Sequence, residues 1–344
     1  MSRKRARVDP AVAALLPGLE VVDCVQVAAL WSSYGHIYRV TVRKDDGNVS
    51  MILKHIHPPH TEHASLSHAR KLLSYSVERS FYDRFAPRLP ATVAVAKRHP
   101  TSAPGTLLLD DLSPSFPRGV YGNLNLEDTR TALLWLAGFH ATFWGEQGSV
   151  LPPVADMPIR DDDSHTGVWQ QGTYWYLDTR REELAQVEED GEGGFVLPWV
   201  EKVNDALSAE RTSGRCTLLH GDVKGENIIF APDGRVAFYD FQYVGSGSPA
   251  LDVVSLLGTS VQGRLLHGHG ESELLRIYFD ALAQNLPDNV HYPWKAFATA
   301  MELAIVDWCR FMAGWGFWGN DRWVLRRARE IVQGWNDGGF DAAA

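Results

Sequence analysis

The region up to residue 109 has a hydrophobic pattern that predicts strands around one helix. Residues 37–43 alternate apolar and polar side chains, as a strand with one buried face does, and residues 49–56 continue as a second strand. Glycine and asparagine between them favour a tight turn, so the two runs form a predicted hairpin. Residues 67–85 repeat apolar side chains at helical spacing, and residues 92–96 and 106–109 are short apolar runs that predict further strands.

Beyond residue 110 the pattern becomes mainly helical. Residues 126–144 have the clearest helical periodicity, and further helices are predicted at residues 182–189, 195–207, 252–258, 272–286, 294–313 and 323–335. Short β-like runs interrupt them at residues 217–219, 228–230 and 236–239. The expected fold class is α+β, with a flexible N-terminal tail at residues 1–18, a small β-rich lobe at residues 19–109 and a larger helical lobe at residues 110–344.

Composition and charge exclude several classes of protein. No apolar run approaches the roughly 20 residues that span a bilayer, so no membrane partner is expected. The net charge of −9 argues against a broad nucleic-acid surface. The three cysteines, Cys24, Cys216 and Cys309, are far apart and form neither a metal motif nor a disulfide framework. We therefore expect a cytoplasmic protein, as a monomer or homodimer, without a nucleic-acid partner.

Two short strands are each followed by residues that suit phosphoryl transfer. The first delivers His220-Gly221-Asp222, with Asn227 five residues after the aspartate, and the second delivers Asp240. Such a reaction needs one carboxylate to accept the proton of the attacking hydroxyl, and oxygen ligands to hold Mg²⁺ against the phosphates. The spacing predicts Asp222 as the catalytic base, and Asn227 and Asp240 as the magnesium ligands.

These motifs resemble the aminoglycoside phosphotransferase and choline kinase superfamily. Its members have His-Gly-Asp where protein kinases have His-Arg-Asp, and the Asp240-Phe241-Gln242 variant is most similar to the ecdysteroid-kinase-like branch. Residues 105–112, 134–141 and 249–253 resemble other segments of the family. The resemblance implies a bilobal, protein-kinase-like fold and a kinase that moves the γ-phosphoryl group of ATP, with Mg²⁺, to a hydroxyl of a small-molecule alcohol.

The resemblance also implies a nucleotide site. Lys54 becomes the strand lysine that contacts the α- and β-phosphates, and Glu78 becomes its helical partner. The loop over the phosphates contains a single glycine, Gly35, so Ser32 and Ser33 take over as hydrogen-bond donors. The adenine edge is expected at the backbone of Leu109, Asp110, Asp111 and Leu112. Asp252 is expected to tie down the catalytic loop by hydrogen bonds.

The acceptor end is less defined by the sequence. Trp308, Phe311 and Trp315 fall where this superfamily builds its acceptor pocket, with Asp307 beside them and Trp169 in an earlier loop. The three aromatic residues also keep helical spacing, so packing in the core is the alternative. A choline-like, a steroid-like or an aminoglycoside-like alcohol remains possible, and the tryptophan content favours the first two.

Two other hypotheses are compatible with parts of the sequence. A non-catalytic nucleotide-binding or scaffold protein of the same fold would keep the architecture without turnover, although the complete set of Lys54, Asp222, Asn227 and Asp240 argues against it. The histidine-rich residues 55–63, with His68 nearby, would suit a transition metal, and a solvated loop is the alternative there.

Overall fold

Five antiparallel strands form one sheet at the start of the chain. The computed structural model describes residues 9–59, 65–151 and 166–340. The strands of this sheet are β1 Glu20–Ala29, β2 Gly35–Lys44, β3 Gly47–Ile56, β4 Arg98–His99 and β5 Thr106–Asp110. They pair in the order β1-β2-β3-β5-β4. The predicted hairpin of β2 and β3 is confirmed, with Lys44 opposite Gly47 at its turn.

The N-terminal segment is folded from residue 9 onward. Helix α1, Pro10–Ala14, begins at Asp9, whose carboxylate accepts a hydrogen bond from the Ala11 amide. Val12 and Leu16 are only 2% exposed and cover one face of the sheet. The prediction of a flexible tail is therefore wrong for residues 9–18, because an apolar sheet face needs a cover. The rest of the predicted tail, residues 1–8, lies outside the described residues.

One long helix packs against both this sheet and the larger C-terminal part of the molecule. Helix α2, Leu66–Ser80, begins at Ser65, whose side chain accepts from the His68 amide, and continues into a π-helical turn at Phe81–Phe85. Val77 and Phe81 are fully buried in the main core, which is built largely by the C-terminal part of the chain. The helix is therefore packed against both parts of the molecule.

The C-terminal part is larger and mainly helical. Its helices are α3 Leu126–Thr142, α4 Arg181–Leu184, α5 Val200–Thr212, α6 Ala250–Thr259, α7 Gly270–Asn285, α8 Trp294–Trp315 and α9 Asp321–Gly338. Its short strands are β6 Arg118–Gly119, β7 Thr217–Leu219, β8 Ile228–Phe230, β9 Val236–Phe238 and β10 Gly245–Gly247. The predicted α+β class, with a small β-rich lobe and a larger helical lobe, is confirmed. Across the described ranges, no helix has both the length and the apolar character needed to cross a membrane.

Three of the predicted elements differ in the structure. The helix predicted at residues 182–189 ends at Leu184. Residues 92–96 form no strand, and only Ala94 makes a single bridge, to Ala237. The backbone there is satisfied partly by a side chain, since the Trp135 indole donates to the Ala94 carbonyl at 3.1 Å. The helix predicted at residues 195–207 begins as a 3₁₀ turn, Gly194–Trp199, and becomes α-helical only after Pro198.

Aromatic stacking fixes the strands that carry the site against the helices. The Trp135 ring of α3 lies on Phe238 of β9, with centroids 4.0 Å apart and planes almost parallel. Phe241, just beyond β9, stacks on Phe81 at the end of α2, at 3.9 Å. Such contacts add to the burial of large apolar surfaces. These two stacks hold Asp240, which directly precedes Phe241, at the junction of the two lobes.

Packing of the N-terminal segment leads to a first prediction. We expect Leu16→Ala to lower the free energy of unfolding by about 2–3 kcal/mol, because a buried leucine leaves a cavity beneath the sheet. Urea denaturation measures this change. Leu134→Ala, at a position of α3 that is 43% exposed, is the matched control and should change stability by less than about 0.5 kcal/mol. Equal stability of Leu16→Ala and the wild type would show that the segment does not pack on the sheet.

Candidate active site

A buried lysine joins three elements at the junction of the lobes. Lys54 of β3 is 6% exposed, and its Nζ lies 2.6 Å from Glu78 Oε1 of α2 and 3.2 Å from Asp240 Oδ1. Burial acts to lower the pKa of Lys54, but Asp240 and Glu78 outweigh it and raise the pKa. Lys54 is therefore held as a cation between two carboxylates.

The two carboxylates respond differently to the same lysine. Burial raises the pKa of Glu78, and the nearby Lys54 ammonium only partly opposes that effect. Burial also acts to raise the pKa of Asp240, but there Lys54 prevails and the pKa is lowered. The side chain of Asp240 is about one-third exposed, against 1% for Glu78. Asp240 is thus the accessible carboxylate of the two, and Lys54 favours its ionised form.

Asp240 has an unusual backbone conformation. Its φ is +69°, in the left-handed region that non-glycine residues seldom adopt. The neighbouring Phe241 is buried between Phe81 and His220, with ring centroids 3.9 and 4.7 Å away. Strained residues of this kind persist where surrounding packing imposes them, and they concentrate at functional sites. Here the packing of Phe241 turns the Asp240 side chain towards Lys54.

Asp252 of α6 anchors the loop that follows β7. Its Oδ2 accepts from the His220 amide at 2.6 Å, and its Oδ1 accepts from the Gly221 amide at 3.0 Å. His140 of α3 lies 3.1 Å from the same carboxylate. The expected role of Asp252 in tying this loop is confirmed. Gly221 has φ +82°, and a Cβ there would lie 2.1 Å from the Tyr243 carbonyl oxygen, so the loop requires glycine.

The anchored loop presents Asp222 beside a second lysine. Asp222 is 6% exposed, and its Oδ2 accepts from Lys224 Nζ at 2.8 Å and from Asn227 Nδ2 at 3.1 Å. Burial raises the pKa of Asp222, although Lys224 acts in the opposite direction. Lys224 was not among the residues selected from the sequence. The sequence feature that could have identified Lys224 is its position two residues after Asp222, in the connection between β7 and β8.

Asn227 and Asp240 lie next to each other across two paired strands. Ile228 of β8 pairs with Phe238 of β9, and the Tyr239 amide donates to the Asn227 carbonyl at 3.1 Å. Tyr239 is therefore opposite Asn227, and Asp240 is the next residue along the chain. The Asn227 amide group donates through Nδ2 to Asp222, which leaves its Oδ1 as an acceptor. One amide oxygen and one ionised carboxylate form a donor set that suits a hard divalent cation.

The segments expected to contact the rest of a nucleotide lie along the same sheet. Ser32 and Ser33 are exposed in the turn between β1 and β2, with φ of 57° and 62°. Leu109 and Asp110 end β5, and the Asp110 carboxylate lies 2.6 Å from His99 Nε2. The Asp111 carboxylate accepts from Ser50, Arg39 and the Ser113 amide, and Leu112 follows it. The carboxylates of Asp110 and Asp111 are both used in these contacts. The backbone of this segment would therefore make any contact with an adenine.

Most residues considered for the acceptor pocket lie in the core. Trp169 and Trp308 are at most 1% exposed, so their predicted contact with an acceptor is wrong, since a side chain without surface cannot touch a ligand. Phe311 is also buried, at 2%. The Asp307 carboxylate pairs with Arg310 at 2.7 Å inside the protein and contributes no free charge. Only Trp315 of this set is exposed.

The histidine-rich segment does not form a metal site in the described residues. The rings of His55 and His57 lie 6.0 Å apart, and burial lowers the pKa of His55. His60 and His63 lie outside the described residues. Within the described ranges, no group of three histidine, cysteine, aspartate or glutamate side chains is placed to hold a metal ion.

Solved structures share the architecture at low sequence identity. The choline kinase from Cryptosporidium parvum Iowa II is 11% identical, with coverage of 96% of each chain and a TM-score of 0.52. A microcompartment-associated aminopropanol kinase is 14% identical, with coverage of 97% of this chain and 100% of the other, and a TM-score of 0.50. An amicoumacin kinase in complex with AMP-PNP and Ca²⁺ is 16% identical, covering 96% and 94%, with a TM-score of 0.50. At these identities the similarity establishes the fold alone.

Sequence comparison identifies the family directly. None of the curated proteins matches the chain in sequence. The model of the ecdysteroid kinase-like family matches residues 33–290, a span that includes Lys54, Glu78, Asp222, Asn227, Asp240 and Asp252. Because this match covers well over half of the sequence, the chain belongs to the ecdysteroid kinase-like family.

Proposed function

We propose that the protein transfers the γ-phosphoryl group of ATP to a hydroxyl of a small-molecule alcohol. The observation that supports this most strongly is the arrangement of four side chains. Asp222 and Asn227 are hydrogen-bonded to each other, and Asp240 follows the residue paired with Asn227 and contacts Lys54. A base, a pair of metal ligands and a phosphate-binding cation are the groups that this reaction needs.

The nucleotide end of the proposed site contains a cation that is already held in position. Lys54 offers its ammonium to the α- and β-phosphates, and Glu78 fixes its position at 2.6 Å. Asn227 and Asp240 would hold Mg²⁺, which when bound neutralises charge on the phosphate oxygens. The exposed serines of the β1–β2 turn and the backbone at residues 109–112 complete the proposed binding site. A structurally similar kinase contains AMP-PNP and Ca²⁺, which agrees with this choice of ligands.

Asp222 acts at the acceptor end of the proposed reaction. Its carboxylate orients the acceptor hydroxyl and accepts its proton as the hydroxyl oxygen attacks the γ-phosphorus. One oxygen–phosphorus bond forms, the bond from the γ-phosphorus to the β,γ-bridging oxygen breaks, and ADP leaves. The ammonium of Lys224, 2.8 Å from Asp222, holds the carboxylate in place and favours its ionised form. Asp252 keeps the whole loop fixed from behind, which limits reorganisation during the reaction.

Isosteric substitutions of the two aspartates test this proposal. We expect Asp222→Asn to reduce phosphoryl transfer by about 10²–10⁴-fold, because the amide cannot accept the proton, while magnesium-dependent AMP-PNP binding persists. Asp240→Asn should weaken AMP-PNP binding in the presence of Mg²⁺ much more than in its absence. Calorimetric titration of AMP-PNP with and without Mg²⁺, and labelled-ATP assays on amino alcohols, sterols, sugars and aminoglycosides, measure both effects.

The matched control is Asp233→Asn. Asp233 lies in the turn between β8 and β9, is 57% exposed and, among the described residues, pairs with nearby Arg235. Its substitution should leave binding and turnover unchanged. Wild-type turnover by Asp222→Asn would refute the assignment of the base. Magnesium-dependent nucleotide binding without transfer to any acceptor class would instead favour a non-catalytic nucleotide-binding protein.

The ion pair between Asp222 and Lys224 predicts a pH effect. The proposed base must be unprotonated, and burial raises the pKa of Asp222 above its ordinary value. Activity should therefore fall as the pH drops through this raised pKa. Lys224→Met removes the cation that opposes the effect of burial, so the acid limb of the slow ATP hydrolysis profile should move to higher pH. Lys224→Arg keeps the charge and is the control; an unmoved limb in Lys224→Met would contradict the role of the pair.

A further inference from the structure

Two tyrosines lie beside the loop that carries Asp222. The Tyr174 amide donates to the Gly221 carbonyl at 3.1 Å, so its backbone is attached to the residue before Asp222. The Tyr174 and Tyr243 rings are 5.6 Å apart, and both side chains are partly exposed. Tyr174 also packs edge-on against Phe311 at 5.4 Å. This pair of tyrosines forms an aromatic wall next to the proposed base.

The residue before Tyr174 is held in a strained conformation. Thr173 is β-branched and has φ +76°, which is a rare combination. Its amide donates to the Tyr243 carbonyl at 3.3 Å, and its own carbonyl accepts from Arg70 Nη2 at 3.2 Å. The strained turn therefore connects the aromatic wall to an arginine on helix α2.

Arg70 is a cation without a carboxylate partner in the described residues. Its guanidinium lies between two rings, 5.2 Å from the Tyr176 centroid and 5.4 Å from the Tyr243 centroid. Its one hydrogen bond to a described residue is the one to Thr173, and Nε is buried without a partner. Burial lowers the pKa of Arg70, as expected for a desolvated cation that lacks a counter-ion.

Two arginines near this wall, Arg180 and Arg310, have carboxylate partners of their own. Arg180 pairs with Glu183 at 3.0 Å, and Arg310 pairs with Asp307 at 2.7 Å. Arg180 also donates to the Tyr174 carbonyl, so it supports the wall while its charge is neutralised. Arg70 is thus an unneutralised cation beside this wall among the described residues. A guanidinium that is partly removed from water and unpaired favours an incoming anion.

We propose that the acceptor is an alcohol with an apolar body and a carboxylate, and that Arg70 binds that carboxylate. This inference rests on the proposed function. With the hydroxyl at Asp222, the body of the molecule would lie on Tyr174 and Tyr243, and the carboxylate would reach the guanidinium beyond them. A planar guanidinium suits a carboxylate because it donates two parallel hydrogen bonds. A cationic acceptor of the choline or aminoglycoside kind would instead be repelled by Arg70.

Matched probes that differ in charge test this inference. The carboxylates are 4-(hydroxymethyl)benzoate and the longer 4′-(hydroxymethyl)biphenyl-4-carboxylate, each compared with its neutral methyl ester. The cationic probe is 4-(hydroxymethyl)benzyltrimethylammonium. We expect calorimetry on protein saturated with Mg²⁺ and AMP-PNP to show at least one carboxylate binding about tenfold or more tightly than its ester. The cationic probe should bind more weakly than either ester.

Variants on the same helical segment connect the effect to Arg70. Arg70→Gln should abolish the preference for the carboxylate. Arg70→Lys keeps the charge but not the two parallel N–H donors of the guanidinium, and should retain part of the preference. Arg84→Gln removes an exposed charge from the turn that continues α2 and should leave the preference intact. The midpoint of thermal unfolding in AMP-PNP alone identifies any variant that fails to fold.

The outcomes separate this inference from the function on which it rests. No preference for either carboxylate in the wild type, or the same preference in Arg70→Gln, would overturn the role of Arg70. Transfer of phosphate to neutral or cationic alcohols, unchanged by Arg70→Gln, would also overturn it while the kinase function stands. A wild-type protein that neither binds nor hydrolyses ATP with Mg²⁺ would remove the proposed function itself.

Discussion

The burial of the Lys54 ammonium is the constraint on which the rest of the structure depends. A cation this deep in the protein is tolerable only with carboxylates close to it, and these come from two distant parts of the chain, Glu78 and Asp240. The sheet, helix α2 and the end of β9 must therefore meet at one point. The stack of Phe241 on Phe81 brings them there, since it is apolar, fully buried and directly beside Asp240.

A second buried carboxylate supports the site from the other side. Asp252 accepts hydrogen bonds from two successive amides of the loop that carries Asp222 and contacts His140 on α3. These donors satisfy a charge that would otherwise be costly to bury. Asp222 is presented from this fixed loop, whereas the accessible carboxylate of Asp240 is presented from a strained residue. Asp222 and Asp240 are thus held in place in different ways, which agrees with the different roles proposed for them.

The aromatic residues divide between the core and the cleft. Trp169 and Trp308 are inside the protein, where their large surfaces contribute to stability. The rings beside the loop that carries Asp222 belong to Tyr174 and Tyr243, with Arg70 and Arg180 against them. The charge of this region is set by which arginines have carboxylate partners, as Arg180 does with Glu183. Under the proposed function, the charge of the acceptor end therefore depends on ion pairing and not on composition.

The sequence by itself determined the hairpin, the helical C-terminal lobe and the placement of Asp222, Asn227 and Asp240 at strand ends, because these depend on local periodicity and short spacings. Only the tertiary structure decided which aromatic residues are buried, that residues 9–18 cover the sheet, and that Arg70 has no carboxylate among the described residues. Burial and ion pairing are made between residues far apart in the chain. No local pattern records them, because the same helical spacing of tryptophans serves a core and a pocket equally well.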